Sequence, residues 1–161
     1  GNSSKNMKKI FNIKKKDFQK NYIIQDFIKG QEIHFDILND FKGNFIDCCA
    51  KKKLLMHDGE TYQAEILNKK KYFNLGKLIS KKLRHVGNLD CDAIETKKGD
   101  IFFIDFNPRF GGGYPFTHLS GKNFISLIFN NFRKKKTKKK LSSGKQIFSK
   151  GLEILKVKNE K

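Results

Sequence analysis

The stretch at residues 100–115 reads DIFFIDFNPRFGGGYP. Its first half, Asp100 to Asn107, is a short run of Ile and Phe and reads as a strand. Side chains alternate across a strand, so Ile101, Phe103, Asp105 and Asn107 share one face. Asp105 and Asn107 therefore point the same way, one pleat apart. Arg109 lies two residues further on the same side, where its planar fork suits a transferring phosphoryl group. Pro108 to Gly121 reads as a Gly-rich loop. The preceding run, Asn88 to Glu95 (NLDCDAIE), is a second strand joined by a Lys-Lys-Gly turn, with Asp90 and Asp92 on one face. A hairpin folded about Lys98-Gly99 brings Asp90 and Asp105 close to facing each other. Carboxylates converging in this way repel unless they are protonated or hold a cation. Hard oxygen donors suit Mg²⁺, which takes one or two carboxylates and leaves its other positions to water and phosphate.

Upstream, Glu32 to Asn39 (EIHFDILN) alternates cleanly. Ile33, Phe35 and Ile37 fall on one face, Glu32, His34 and Asp36 on the other, as in a half-buried strand. A turn at residues 41–44 returns the chain as a strand over Phe45–Leu55. Residues 56–61 read as a loop. Residues 69–86 carry Phe73, Leu75, Leu78, Ile79, Leu83 and Val86 at helical spacing, and Gly87 stops the helix. Residues 122–132 form another helix. Tyr22 to Ile28 reads as a buried strand, preceded by a short strand near 7–13 and a helical turn near 15–20. Residues 133–145 are a basic linker, and Gln146 to Val157 reads as a final strand pair. His34 and His85 read as structural or solvent-facing. Hairpins alternating with helices imply an α+β class: a largely antiparallel sheet with helices packed on one face.

The chain has 161 residues and a net charge of +19, enough for one domain or two small lobes. Only Arg84, Arg109 and Arg133 are arginines among 35 basic residues. Surfaces that read nucleic acid favour Arg, whose fork grips phosphates and base edges. Lys accompanied by much Asn, Ile and Phe instead matches A/T-rich codons, and the aromatics sit at core spacing rather than as a stacking row. Beyond non-specific attraction of polyanions, nucleic acid is not an expected partner. No apolar run approaches the ~18 residues of a membrane span. The opening GNSSKNMKK lacks the apolar core of a secretory signal. Cys48, Cys49 and Cys91 form no CxxC and have no His at zinc spacing, so they read as free thiols in a reducing cytoplasm.

The segment Asp105 to Pro115 resembles the E-x-N-P-R-x-G-G-G-x-P signature of ATP-grasp ligases. The closest resemblance is to the branch of the carbamoyl-phosphate synthase large chain. Other segments agree in order. Ile24 to Glu32 (IQDFIKGQE) is similar to the family's hinge between two lobes, Glu32 to Asp36 to the strand after it, and Asn88-Leu-Asp90 to the strand bearing the first metal ligand. Gly1-Asn-Ser3-Ser4-Lys5 is similar to the end of the glycine-rich loop over the phosphates. The resemblance runs from residue 1 to about 130.

It implies an ATP-grasp fold whose first lobe is truncated: residues 1–28 as its remnant with the phosphate loop, 29–132 as the C-terminal lobe, then the 133–145 linker and a 146–161 extension. It implies ATP and two Mg²⁺ or Mn²⁺ ions as cofactors. Asp105 would bridge the ions, with Asn107 and Asp90 completing the site. Arg109 would stabilise the γ-phosphate and an acyl-phosphate intermediate, a catalytic role. Backbone groups of the Gln25–Ile28 hinge, at Asp26 and Ile28 flanking Phe27, would bind adenine, and Glu32 the ribose. Gly1, Ser3, Ser4 and Lys5 would cover the phosphates with backbone N–H groups. His57 sits where the family often places a phosphate-contacting residue, and Tyr114 and His118 border the region of its acceptor pocket. The implied partners are small-molecule carboxylate and amine (or thiol) substrates, and a missing N-terminal half supplied by another chain. The alternative is an inactive remnant or nucleotide-binding module. The sequence departs from the pattern where the metal-bridging Glu is replaced by Asp105, one methylene shorter.

Overall fold

The computed structural model describes residues 25–134 and 145–151. Gly1 to Lys5, the elements expected near 7–20, Tyr22 to Ile24 and most of the basic linker lie outside the described residues. Among the described residues six strands form one antiparallel sheet: β1 (Gln31–Asn39), β2 (Phe45–His57), β3 (Glu60–Leu67), β4 (Gly87–Glu95), β5 (Ile101–Asn107) and β6 (Ile147–Ser149). The strand order is β5-β4-β1-β2-β3-β6. Helix α1 (Lys70–Leu83) connects β3 to β4, and α2 (Tyr114–Leu119) and α3 (Phe124–Phe132) follow β5. The expected α+β class and antiparallel sheet are as found.

β1 lies inside the sheet, and its alternation sorts the molecule into two cores. Ile33, Phe35 and Ile37, all fully buried, pack with Cys48, Ala50, Leu89 and Cys91 beneath α1. Burying a side chain such as Phe35 contributes ~1.5–3 kcal/mol. On the opposite face Leu38, Cys49 and Ile66 pack against Tyr114 of α2 and Phe124 of α3. The helices thus do not all pack on one face. α1 does so as expected, while α2 and α3 cover the other face, because the apolar half of β1 changes sides at Leu38.

α1 approaches the sheet closely because Gly76 has no Cβ; one placed there would meet Cys48 Sγ at 2.5 Å. Tyr72, Phe73, Leu75 and Ile79 turn to the sheet. Leu78, Leu83 and Val86, expected on the same apolar face, are half exposed. The helix ends where Arg84 takes a left-handed φ of 49°. Ser80 Oγ donates to Asn39 Oδ1 (2.6 Å), and Asn39 Nδ2 donates to the His85 carbonyl (2.9 Å), which pins that end to β1. Buried polar groups are retained when paired in this way.

Several expectations are corrected. Gln25 to Ile28 are not strand and are mostly exposed. Residues 56–61 are not a loop: β2 runs to His57, Asp58 (φ 48°) and Gly59 (φ 79°) make a two-residue turn, and β3 begins at Glu60. Left-handed φ at both turn residues marks the tight hairpin that Asp-Gly favours. The Gly-rich loop contains a short helix, α2. Of the last strand pair only Ile147–Ser149 is strand among the described residues, paired with β3. No helix among them is long and apolar enough to cross a membrane.

All three cysteines are free and buried. Burial pushes the Cys48 thiol up to about 12, against the opposing pull of Lys122, and raises those of Cys49 and Cys91 as well. Thiolate is the reactive form. The folded chain is therefore expected to resist a disulfide-exchange reagent at mildly alkaline pH, and to release all three thiols in denaturant. Fast labelling of the native chain would contradict this packing.

Candidate functional site

The charged side chains that β1 cannot place in either apolar core collect on the α2 face, towards β4 and β5. β1 pairs with β4 so that His34 lies opposite Asp92 and Asp36 opposite Asp90. β4 pairs with β5 so that Asp92 faces Asp105 and Asp90 faces Asn107. This corrects the expected facing of Asp90 and Asp105. A bulge between Asp92 and Ala93 leaves Ile104 without a partner and shifts the register. Asp90, Asp92, Asp105 and Asn107 still share one face, because the bulge lies on the far side of Asp105.

These residues line a cleft of about 250 Å³ together with His34, Lys53, Glu60, Arg109, Gly112 and Gly113. Arg109 Nη1 lies 3.0 Å from Asp90 Oδ2, and Asn88 Nδ2 donates to the Arg109 carbonyl at 3.0 Å. The Arg109 side chain is 58% exposed, so its guanidinium borders open solvent. Asn107 Nδ2 donates to Asp105 Oδ2 at 2.6 Å. Lys53 Nζ sits 3.1 Å from Asp92 Oδ1 and 3.3 Å from Glu32 Oε2.

His34, read from sequence as structural or solvent-facing, is buried at the centre of this cluster. Its Nδ1 is 3.0 Å from Asp92 Oδ1, and its Nε2 is 2.7 Å from Asp90 Oδ1 and 3.6 Å from Asp36 Oδ1. Burial and Lys51 both push the ring towards neutrality. The surrounding carboxylates of Asp36, Asp90 and Asp92 outweigh them and raise its pKa to about 9. Burial likewise opposes ionisation of Asp92, but His34 and Lys53 bring it down to about 2. Behind the cleft, Lys51 is fully buried against Asp36, Thr117 Oγ1 (2.6 Å) and the Gly113 carbonyl (3.1 Å). Despite its burial, Asp36 is held far below the usual carboxylate range by Lys51 and His34.

The structure thus brings Asp90, Asp105, Asn107 and Arg109 together. It does not bring the other expected residues into that cleft. Gln25, Asp26, Phe27 and Ile28 border a separate groove of about 900 Å³ with Phe102, Phe103 and Ile104 of β5. Glu32 is held at the cleft rim by Lys53. His57 is exposed at the β2–β3 turn beside Asp58. Tyr114 belongs to a core, stacked edge-on to Phe110 at 4.5 Å, and His118 is exposed. Gly1, Ser3, Ser4 and Lys5 are outside the described residues. His34, Asp36, Lys51 and Lys53 were not singled out from sequence. Their signal was present, as charged residues alternating with Ile and Phe on one strand face, but its meaning depends on which strands flank β1.

A family model described as ATP-grasp in the biosynthetic pathway with Ter operon matches residues 18–153. Among solved structures, the biotin carboxylase domain of 2-oxoglutarate carboxylase from Hydrogenobacter thermophilus, in complex with MgADP, ADP and bicarbonate, is similar with a TM-score of 0.56 at 16% identity. That likeness covers 73% of this chain and 28% of the other. The ATPase subunit of phosphoribosylaminoimidazole carboxylase from Aquifex aeolicus is similar with a TM-score of 0.53 at 18% identity, over 71% of this chain and 38% of that one. Biotin carboxylase from Campylobacter jejuni gives 0.52 at 16% identity, over 66% and 26%. The chain therefore spans well under half the length of these structures. No curated protein sequence matches it. With most of its length matched, and with the sheet that these structures share, the chain belongs to the ATP-grasp family of the biosynthetic pathway with the Ter operon.

Proposed function

We propose that the cleft at Asp90, Asp105, Asn107 and Arg109 binds the phosphates of ATP with Mg²⁺, as the nucleotide-binding part of a ligase that activates a carboxylate. The carrying observation is the convergence of these four side chains at the ends of β4 and β5. The donor set fits the ion. Asp90 and Asp105 present carboxylate oxygens, and the Asn107 amide nitrogen donates to Asp105, which leaves its carbonyl oxygen to accept or ligate. Asp90, Asp105 and Asn107 would hold Mg²⁺ or Mn²⁺, one ion or two, and the bound ion would neutralise phosphate charge. Arg109 supplies a bidentate donor to the γ-phosphate from the solvent side.

The reaction we assign is attack of a substrate carboxylate oxygen on the γ-phosphorus. The γ-phosphorus–oxygen bond to the β-phosphate breaks, and ADP leaves. An amine or thiol then displaces phosphate from the acyl phosphate. Little covalent work falls to the protein in such transfers; positioning and charge neutralisation do most of it. The groove at Gln25–Ile28 suits adenine, with apolar Phe102 and Ile104 beside exposed backbone. The glycine run after Arg109 favours the branch that includes the carbamoyl-phosphate synthase large chain.

Calorimetry with Mg²⁺ and a non-hydrolysable ATP analogue tests this reading. Asp105→Ala/Asn107→Ala is expected to weaken binding at least about tenfold, or ~1.4 kcal/mol. Equal binding by wild type and double variant would remove these residues from the site.

A further inference from the structure

We propose that His34 Nε2, Asp36 Oδ1 and Asp90 Oδ1 form a binding site for a late first-row divalent metal ion, Zn²⁺ or a close relative, on the floor of the cleft. The site goes beyond the nucleotide reading. It shares Asp90 with that reading but needs no nucleotide.

The strand register builds it. His34 and Asp36 are successive residues on one face of β1, and Asp90 is the cross-strand partner of Asp36. Donor atoms of the three residues lie within 4.8 Å of one another. Nε2 is 3.6 Å from Asp36 Oδ1, a separation that neighbouring ligands of one ion adopt, and 2.7 Å from Asp90 Oδ1, a contact that opens by about half an ångström when both atoms ligate at ~2.0–2.1 Å. All three residues are more than nine-tenths buried, at 7%, 0% and 7% exposure.

A second observation points to a ligand. His34 Nε2 and Asp90 Oδ1 are buried facing each other at 2.7 Å, an ion pair without the alignment of a hydrogen bond. An ion ligated by both atoms takes over that contact. The other ring nitrogen is already fixed: Nδ1 contacts Asp92 Oδ1 at 3.0 Å, and Asp92 is steadied by Lys53. A carboxylate on the far nitrogen is how metal-bound imidazoles are oriented and made more basic. The glycine run closes the site from above, because a Cβ at Gly113 would stand only 3.5 Å from Nε2.

The donor set decides which ion. Mg²⁺ takes oxygen donors, whereas one imidazole nitrogen with two carboxylates suits Zn²⁺ and its neighbours. The ion takes the place of the Nε2 proton, which leaves to solvent. Asp36 keeps Lys51 and Thr117 on its other oxygen, and Asp90 keeps Arg109 on its own.

The full chain, stripped with a chelator, is titrated with Zn²⁺ in the absence of nucleotide, and its metal content is counted. One ion per chain is expected, bound at least tenfold more tightly than Mg²⁺. His34→Gln keeps an amide that can reach Asp92 but removes the imidazole, and should weaken Zn²⁺ at least tenfold. Asp105→Ala/Asn107→Ala should keep the Zn²⁺ site while losing the ATP analogue, so failure of either reading is seen separately. In wild type, nitrogen NMR of the four histidines should show one ring shifting at Nε2 on Zn²⁺ addition. That measurement stands if His34→Gln fails to fold. Absence of a stoichiometric ion, unchanged affinity in a folded His34→Gln, or no shifted ring each overturns the proposal.

Discussion

Lys51→Met is expected to destabilise the chain by ~3–5 kcal/mol, the cost of breaking a buried ion pair from one side. Lys51 is 1% exposed, and its ammonium meets three acceptors: Asp36, Thr117 Oγ1 and the Gly113 carbonyl. An ammonium has three hydrogens to donate, so it is fully satisfied. Methionine keeps the length and apolar stem but removes the charge. Asp36, fully buried, then keeps its negative charge with only Thr117, Asn88 and the His34 ring beside it. Domains of this size hold ~5–15 kcal/mol in all, so the variant should lose much of its margin. The readout is the urea midpoint. Lys51→Met/Asp36→Leu should recover part of the loss, because removing both charges leaves no uncompensated carboxylate. A single variant within ~1 kcal/mol of wild type would mean that Lys51 does not hold Asp36.

The same pair shows where sequence reading stops. The hairpin of β4 and β5, the alternation of β1, α1 and the D-x-N-P-R run were all legible, because each depends on local periodicity or a fixed spacing. β3 was not. Its buried residues are Thr61, Ala64 and Ile66, too small and polar to stand out, although Asp58-Gly59 before it was a strong hairpin signal. The pairing of β1 with β4, fifty-odd residues on, has no local signature. That pairing sets His34 and Asp36 beside Asp90 and Asp92 and turns them from ordinary strand charges into the floor of the cleft. Nor does motif spacing reveal the bulge, which puts Asp92 rather than Cys91 opposite Asp105.

Gly111→Ala is expected to disable the cleft, although the added group is a single methyl. A Cβ at Gly111 would lie 2.3 Å from both carboxylate oxygens of Asp90 and 2.4 Å from its Cγ. Real Cβ atoms do not come so close, so something must move. Asp90 cannot easily retreat. Arg109 holds one oxygen at 3.0 Å, and the His34 ring stands 2.7 Å behind the other. Either the carboxyl swings out of the cleft or the glycine run lifts away. Each outcome separates Asp90 from Asp105 and Asn107. The loss should reach at least about tenfold in ATP-analogue affinity, with ~1–3 kcal/mol of stability lost to overpacking. The adjacent Gly112 makes the contrast. Its Cβ would meet nothing closer than Glu60 at 3.9 Å, so Gly112→Ala should stay within ~0.5 kcal/mol of wild-type stability. A signature of three glycines treats these positions as equal, whereas the structure makes Gly111 the one whose missing side chain makes room for Asp90. Equal stability of the two variants in urea unfolding would mean that Asp90 does not lie beneath Gly111.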